Sequence, residues 1–220
     1  MKKNVYIVWN DFYHPQEVLE PLVEQIFPSA RFCVTASHGY DGFAKEKPDL
    51  LVQFTVGDPP PAMEEQKRVA DSVKNGMGLL AFHAGLVLTG DDSPFLTELG
   101  TADFISHPDR KDAPPDDPHP EQCEVRVIPL PHVQHPVTAG VMPFSAWDEH
   151  YFVKMDVEGT SLLACASSVH GTTPCVWAHE AGKGRVVCIT QGHNPGMVQN
   201  PQMIRLVQNA VSWCVKEEEK

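Results

Sequence analysis

Gly76-Met77-Gly78-Leu79-Leu80-Ala81-Phe82-His83-Ala84-Gly85 is the stretch on which the fold of this chain turns. Residues 78–82 are apolar or glycine without a break, which suits a strand covered on both faces in a parallel sheet. The run ends on an imidazole, then a small residue and a glycine. Strand, reactive side chain and sharp turn make the geometry of a nucleophile elbow, here with histidine at its apex. A lone histidine at a strand end is often only a hydrogen-bonded structural residue, so its meaning depends on what else reaches the same edge.

Upstream, residues 5–9 form a second run of the same kind, leading into Trp9-Asn10-Asp11-Phe12-Tyr13-His14. In open α/β sheets ligands bind at the carboxyl ends of the strands, where this polar and aromatic cluster would lie. Asn10 and Asp11 also have the chemistry of helix caps. Val18, Leu19, Leu22, Val23, Ile26 and Phe27 then repeat at helical spacing. Residues 31–36 and, after Lys47-Pro48, residues 50–54 read as further strands. Met63, Ala70, Val73 and Met77 mark one face of a second helix that stops at Asn75-Gly76. This β-α-β order predicts an α/β fold, a three-layer flavodoxin-like domain with a mostly parallel central sheet.

Downstream, residues 106–121 are dense in Pro and Asp and read as a surface loop near the site, with His107 held in reserve as a site residue. Antiparallel strands are expected at 123–128, 161–166, 174–179 and 185–190, the last two joined by a glycine-rich hairpin at 180–184. Met203, Ile204, Val207, Ala210, Val211, Cys214 and Val215 give a closing amphipathic helix, followed by a charged tail over 216–220.

Two more segments carry chemistry. Thr190-Gln191-Gly192-His193-Asn194-Pro195 again sets a histidine beside a glycine at a strand end. Neutral imidazoles converging on one sheet edge can bind a metal or pass protons. Ser145-Ala146-Trp147-Asp148-Glu149-His150-Tyr151 holds two adjacent acids. An exposed turn is one reading of it; if it is extended, side chains alternate, so only one acid can face a pocket, and Glu149 is favoured. His135-Pro136 reads as a structural turn, and His119, His170 and His179 as exposed or locally bonded.

A length of 220 residues fits one domain, 1–220. A formal charge of -12 argues against a nucleic-acid partner and against an anionic membrane surface. No apolar run approaches the roughly 20 residues of a spanning helix, and the one near the N-terminus is too short for a signal sequence, so a cytoplasmic protein is expected. The six cysteines show no C-x-x-C spacing and read as reduced, mostly buried thiols.

The chain resembles the ThuA-like (trehalose utilisation) family. The likeness is carried by residues 78–84, His135-Pro136-Val137-Thr138-Ala139-Gly140, Asp148-Glu149, Gly182-Lys183-Gly184-Arg185-Val186 and Gly192-His193, in family order over essentially the whole length. Trp9-Asn10-Asp11 with His14 is similar to the opening of a branch that has Trp-Asn-Glu. The resemblance implies a class I glutamine-amidotransferase-like fold and a place in the use of trehalose and related disaccharides. An amidotransferase needs a cysteine at the elbow, where His83 stands, so glutamine hydrolysis through a thioester is excluded.

The expected function is therefore carbohydrate catabolism on a trehalose-like or 3-keto sugar. His14, His83, His193 and Glu149 would act as acid and base or hold a divalent metal, zinc first; no nucleotide cofactor is expected. Trp9 or Tyr13 would stack on a sugar ring, with Asn10, Asp11 and Asp148 as further substrate contacts. A homodimer is the base-rate expectation. The rival function is a non-catalytic sugar-binding or regulatory protein on the same fold.

Overall fold

The computed structural model describes residues 1–87, 92–109, 111, 116–155 and 159–216. Its eleven described strands are β1 Lys3–Val8, β2 Phe32–Ser37, β3 Leu50–Gln53, β4 Gly78–Phe82, β5 Asp103–Ser106, β6 Gln122–Pro129, β7 Phe144–Glu149, β8 Phe152–Lys154, β9 Ser161–Ser168, β10 Gly171–Ala181 and β11 Gly184–Ile189. The helices are α1 Gln16–Ile26, α2 Phe43–Glu46, α3 Met63–Lys74, α4 Pro94–Thr97, α5 Pro195–Val198 and α6 Pro201–Cys214.

Nine strands form one sheet in the order β2-β1-β3-β4-β11-β10-β9-β6-β7. The half from β2 to β11 is parallel, and β10, β9, β6 and β7 extend it antiparallel. The parallel half has the doubly wound order of flavodoxin-like folds, in which the chain reverses its direction of growth between β1 and β3 and opens a crevice there. β5 and β8 pair as a separate two-stranded sheet.

Strand periodicity divides the core between the two faces of the sheet. In β4, Leu80 and Phe82 join Ile7, Val52 and Ile189 under Leu22 of α1 and Val207 and Ala210 of α6. Leu79 and Ala81 point the other way and pack with Tyr6, Leu51, Trp177 and the α3 residues Val69, Ala70 and Val73. All five positions of β4 are buried, as its uninterrupted apolar run predicts, whereas β2 lies at the sheet edge and is largely exposed. The predicted hairpin tightens to Gly182-Lys183 between β10 and β11.

β5 and β8 are not predicted by the sequence pattern; they are strands of four and three residues outside the large sheet, too short for alternation to stand out. β7 takes the extended alternative for the segment that holds Asp148 and Glu149, not the exposed turn. The Pro- and Asp-rich stretch begins where expected, but 110 and 112–115 lie outside the described residues, as does 217–220 of the charged tail. No described helix is long and apolar enough to cross a membrane.

Candidate metal and acid–base site

Three loops leave the carboxyl edge of the parallel strands and converge, and the end of β7 meets them there. After β1 the chain turns sharply on Asn10, whose φ is 67°. The side-chain Oδ1 of Asn10 accepts from the Gln16 amide and so fastens the start of α1. Asp11 Oδ1 accepts from the amides of Tyr13 and His14 and, at 2.8 Å, from His14 Nδ1. A carboxylate only accepts, so the His14 proton sits on Nδ1 and Nε2 keeps its lone pair. That Nε2 is buried and has no hydrogen-bond partner. Burial opposes the charge on Asp11, but its bonds to His14 prevail and hold its pKa below the usual carboxylate value.

At the end of β4, His83 adopts φ 46°, a left-handed conformation that a non-glycine residue enters only under local constraint. The turn can be this tight because a Cβ at position 85 would lie 1.9 Å from the Gln53 carbonyl oxygen. Only glycine permits that approach. His83 is 1% exposed, and its Nδ1 donates to the Thr190 carbonyl at 2.8 Å. Its Nε2 is thereby the free nitrogen, on the same logic as in His14.

Beyond β11, Gly192 has φ 147°, and a Cβ there would meet the Phe82 ring at 2.1 Å. Asp148, at 0% exposure, accepts from the amides of Gly192, His193 and Asn194 at 2.8–2.9 Å. Burial pushes Asp148 up to about 6, so it is a carboxylate at neutral pH. It anchors the loop that carries His193. Glu149, one residue on, points to the opposite side and into the cleft, as the alternation of an extended segment requires.

The resulting cluster is compact. Ring centroids of His14, His83 and His193 lie 5.0, 5.0 and 5.4 Å apart. His83 Nε2, His193 Nδ1 and Glu149 Oε2 are mutually 3.4 Å apart, and one ligand atom from each of the four residues falls within 4.8 Å of the others. An ion bound tetrahedrally at about 2.0–2.1 Å separates its ligand atoms by roughly 3.4 Å. Direct hydrogen bonds among two imidazoles and a carboxylate would close to about 2.9 Å instead. Together with the orphaned Nε2 of His14, this spacing fits a divalent cation, and the His-carboxylate and His-carbonyl pairs behind it are the supports that ligating imidazoles ordinarily have.

The charge states fit as well. Burial resists a charge on Glu149, but the His83 and His193 imidazoles outweigh it and hold the carboxyl at about 2. Burial drives His193 down to about 4, against the pull of Glu149, leaving its lone pair available at neutral pH. For His83, burial pushes downward and is overcome by Glu149 and Asp148, so its pKa is raised; the carboxylates favour a positive charge at Nε2, and an ion bound there would take the place of the proton.

The cluster borders a cleft of about 1030 Å³ whose lining includes Tyr13, Phe104, His107, Tyr151, Asp58 and Glu121. Tyr151 stacks on His83 at 4.3 Å, and burial together with the nearby Glu149 and Asp148 charges pushes its phenol pKa well above the usual value. The structure thus brings together His14, His83, His193, Glu149, Asp11 and Tyr13. It sets three other candidates apart. Trp9 is half-buried and packs against the larger core, because it continues the strand register of β1. Asn10 caps a helix. Asp148 has both oxygens turned to backbone amides, so a substrate contact is replaced by a supporting role. Sequence reasoning missed Tyr151 and Phe12. Tyr151 lies two residues beyond Glu149, on the same side if the strand alternation is simply continued, and that was the available signal.

A family model described as ThuA, trehalose utilisation, matches residues 4–214. No curated protein matches the chain. Among solved structures, a ThuA-like protein from Parabacteroides merdae aligns with a TM-score of 0.72 at 19% identity, over 98% of this chain and 90% of its own. A ThuA-like protein from Bacteroides uniformis gives 0.71 at 19% identity, over 97% and 91%. A β-galactosidase from Rahnella sp. gives 0.62 at 14% identity, over 98% of this chain but 31% of the enzyme. At these identities the likeness concerns the fold alone.

Proposed function

The chain belongs to the ThuA (trehalose utilisation) family, and on that premise we propose that it is an enzyme of carbohydrate breakdown that holds a divalent ion, zinc first, on His14, His83, His193 and Glu149. The observation that supports this most is the orphaned, buried Nε2 of His14 in a cluster whose other three ligand atoms are spaced at 3.4 Å, one atom of each of the four residues lying within 4.8 Å of the others. Three nitrogens and one carboxylate oxygen are a donor set suited to zinc. Such an ion supplies Lewis acidity, polarising a carbonyl or hydroxyl oxygen of the substrate.

The chain's own residues do the rest. Asp11 and the Thr190 carbonyl fix the tautomers of His14 and His83, and Asp148 fixes the position of His193. Tyr151 packs on the face of the His83 ring. Tyr13, exposed at the cleft rim, offers a flat face to a sugar ring. A site that polarises a carbonyl suits proton abstraction from the adjacent carbon. The reactions in view are isomerisation, or elimination-type cleavage of a 3-keto glycoside.

The test is to purify the protein without chelator and offer it trehalose and 3-keto-trehalose. Consumption of the keto sugar, stopped by a chelator and restored by zinc, is the expected result. A metal-free protein that binds trehalose unchanged would replace this function with that of a sugar-binding protein.

A further inference from the structure

A group that binds an ion through its lone pair cannot also move protons for the substrate. In the cluster, His14 and His83 have one nitrogen given to Asp11 or Thr190 and the other turned to the ion position, where His193 Nδ1 and Glu149 Oε2 also lie. Enolisation of a keto sugar still needs a base. It must come from another residue that faces the cleft.

His107 lies in the cleft lining but outside the cluster, and it is the one imidazole so placed among the described residues. Its ring is held from two sides. Nδ1 donates to the Pro108 carbonyl at 2.7 Å, and the ring lies nearly parallel to Tyr151, 24° off, at 6.1 Å. Phe104 backs it at 6.0 Å. Because a carbonyl can only accept, the proton of neutral His107 is on Nδ1 and the lone pair is on Nε2. Among the described residues that nitrogen has no hydrogen-bond partner. Tyr151 is the common wall: one neighbour of its ring is His83, the other His107. His107 therefore lies beside Tyr151 in the cleft lining, one aromatic ring away from His83.

We propose that His107 is the catalytic base of this cleft, its Nε2 taking the hydrogen from the carbon next to the substrate's carbonyl. This rests on the keto-sugar reading of the site. The C–H electron pair becomes the carbon–carbon double bond of an enolate, and the carbonyl oxygen takes the charge. In elimination the enolate re-forms the carbonyl, its carbon–carbon pair shifts to a double bond with the anomeric carbon, and the glycosidic oxygen leaves with its bonding pair and takes a proton from water, while His107 returns its proton to solvent. The balance needs no oxidant or reductant.

The proton step can be measured apart from cleavage, using the 3-keto derivative of anhydroglucitol, which has no leaving group at its anomeric carbon. Zinc-loaded wild-type protein in D2O is expected to exchange the hydrogen beside the carbonyl, followed by NMR. His107→Gly is expected to keep its zinc and its affinity for the probe while exchange falls by at least about 100-fold, and added imidazole is expected to restore about a tenth of it or more. Exchange within about threefold of wild type, loss of the zinc, or a loss of exchange that imidazole does not repair would each overturn the role of His107. A wild-type protein that takes up no ion, or exchanges nothing, would remove the keto-sugar reading itself, and that result is visible before any substitution is made.

Discussion

Two groups of histidines in this molecule are buried in opposite ways. At the carboxyl edge of the parallel strands, His14 and His83 each have one nitrogen satisfied and the other turned toward a shared point. On the antiparallel flank, His150 is fully buried with both nitrogens bonded, Nδ1 to Ser168 at 2.7 Å and Nε2 to Thr173 at 3.0 Å. His179 stands between the two cases. Its Nε2 donates to the Leu99 carbonyl and its Nδ1 is buried without a partner, yet it joins no cluster of ligating groups among the described residues. An orphaned nitrogen alone thus marks nothing. What distinguishes the candidate site is one such atom beside three others at ligand spacing, with the tautomers of His14 and His83 fixed from behind.

The sharpest way to break this contrast is to remove one side of the cluster. Glu149→Gln and His193→Ala are each expected to weaken zinc binding by more than about 100-fold, beyond the usual cost of losing a supporting residue. His150→Gln should leave zinc stoichiometry untouched. Elemental analysis after dialysis against a weak chelator distinguishes them. Equal zinc content in all three proteins would erase the distinction.

A smaller effect is expected one step back from the ligands. Asp11→Asn loosens the His14 tautomer, and Asp148→Asn disturbs the backbone amides that position His193. Each is expected to weaken zinc affinity by about 10–100-fold, measured by competition with a chromogenic chelator.

The structural histidine has its own signature in pH. Burial, with the His170 charge nearby, drives His150 down to about 4, below the value of an unfolded histidine. Between roughly pH 6.5 and 4 the unfolded chain binds a proton that native His150 refuses. Stability is therefore fully present above that window and falls as pH is lowered through it. In urea titrations of the ion-free protein at about pH 7.5 and about pH 5, the loss should be smaller in His150→Gln than in wild type. The smallest effect belongs to the cleft rim. Tyr13→Ala should leave zinc affinity unchanged and weaken sugar binding by about 1 kcal/mol, seen by calorimetry.

Much of this was legible in the chain. The buried runs at 5–9 and 78–82 identify central parallel strands because both faces of such strands are covered, and the glycines at 85 and 192 mark backbones that nothing larger could fit. His14, His83 and His193 were readable as a set because each follows such a strand. Glu149 was separable from Asp148 by alternation alone. What was not legible depends on contacts distant in sequence. Trp9 is as aromatic as Tyr13, and nothing local says that one packs on the core while the other stands at the cleft. Tyr151 and His107 gain their meaning only from stacking on one another and on His83, more than sixty residues from Tyr151 in the chain.

The central claim is that four side chains share one ion. Zinc-edge X-ray absorption on protein purified without chelator tests it most directly. The predicted spectrum has one zinc per chain with nitrogen and oxygen neighbours at about 2.0–2.1 Å and the outer-shell scattering of imidazole rings, lost in Glu149→Gln and His193→Ala. Zinc with sulfur or only water around it, or a wild-type protein that retains no ion, would contradict the claim.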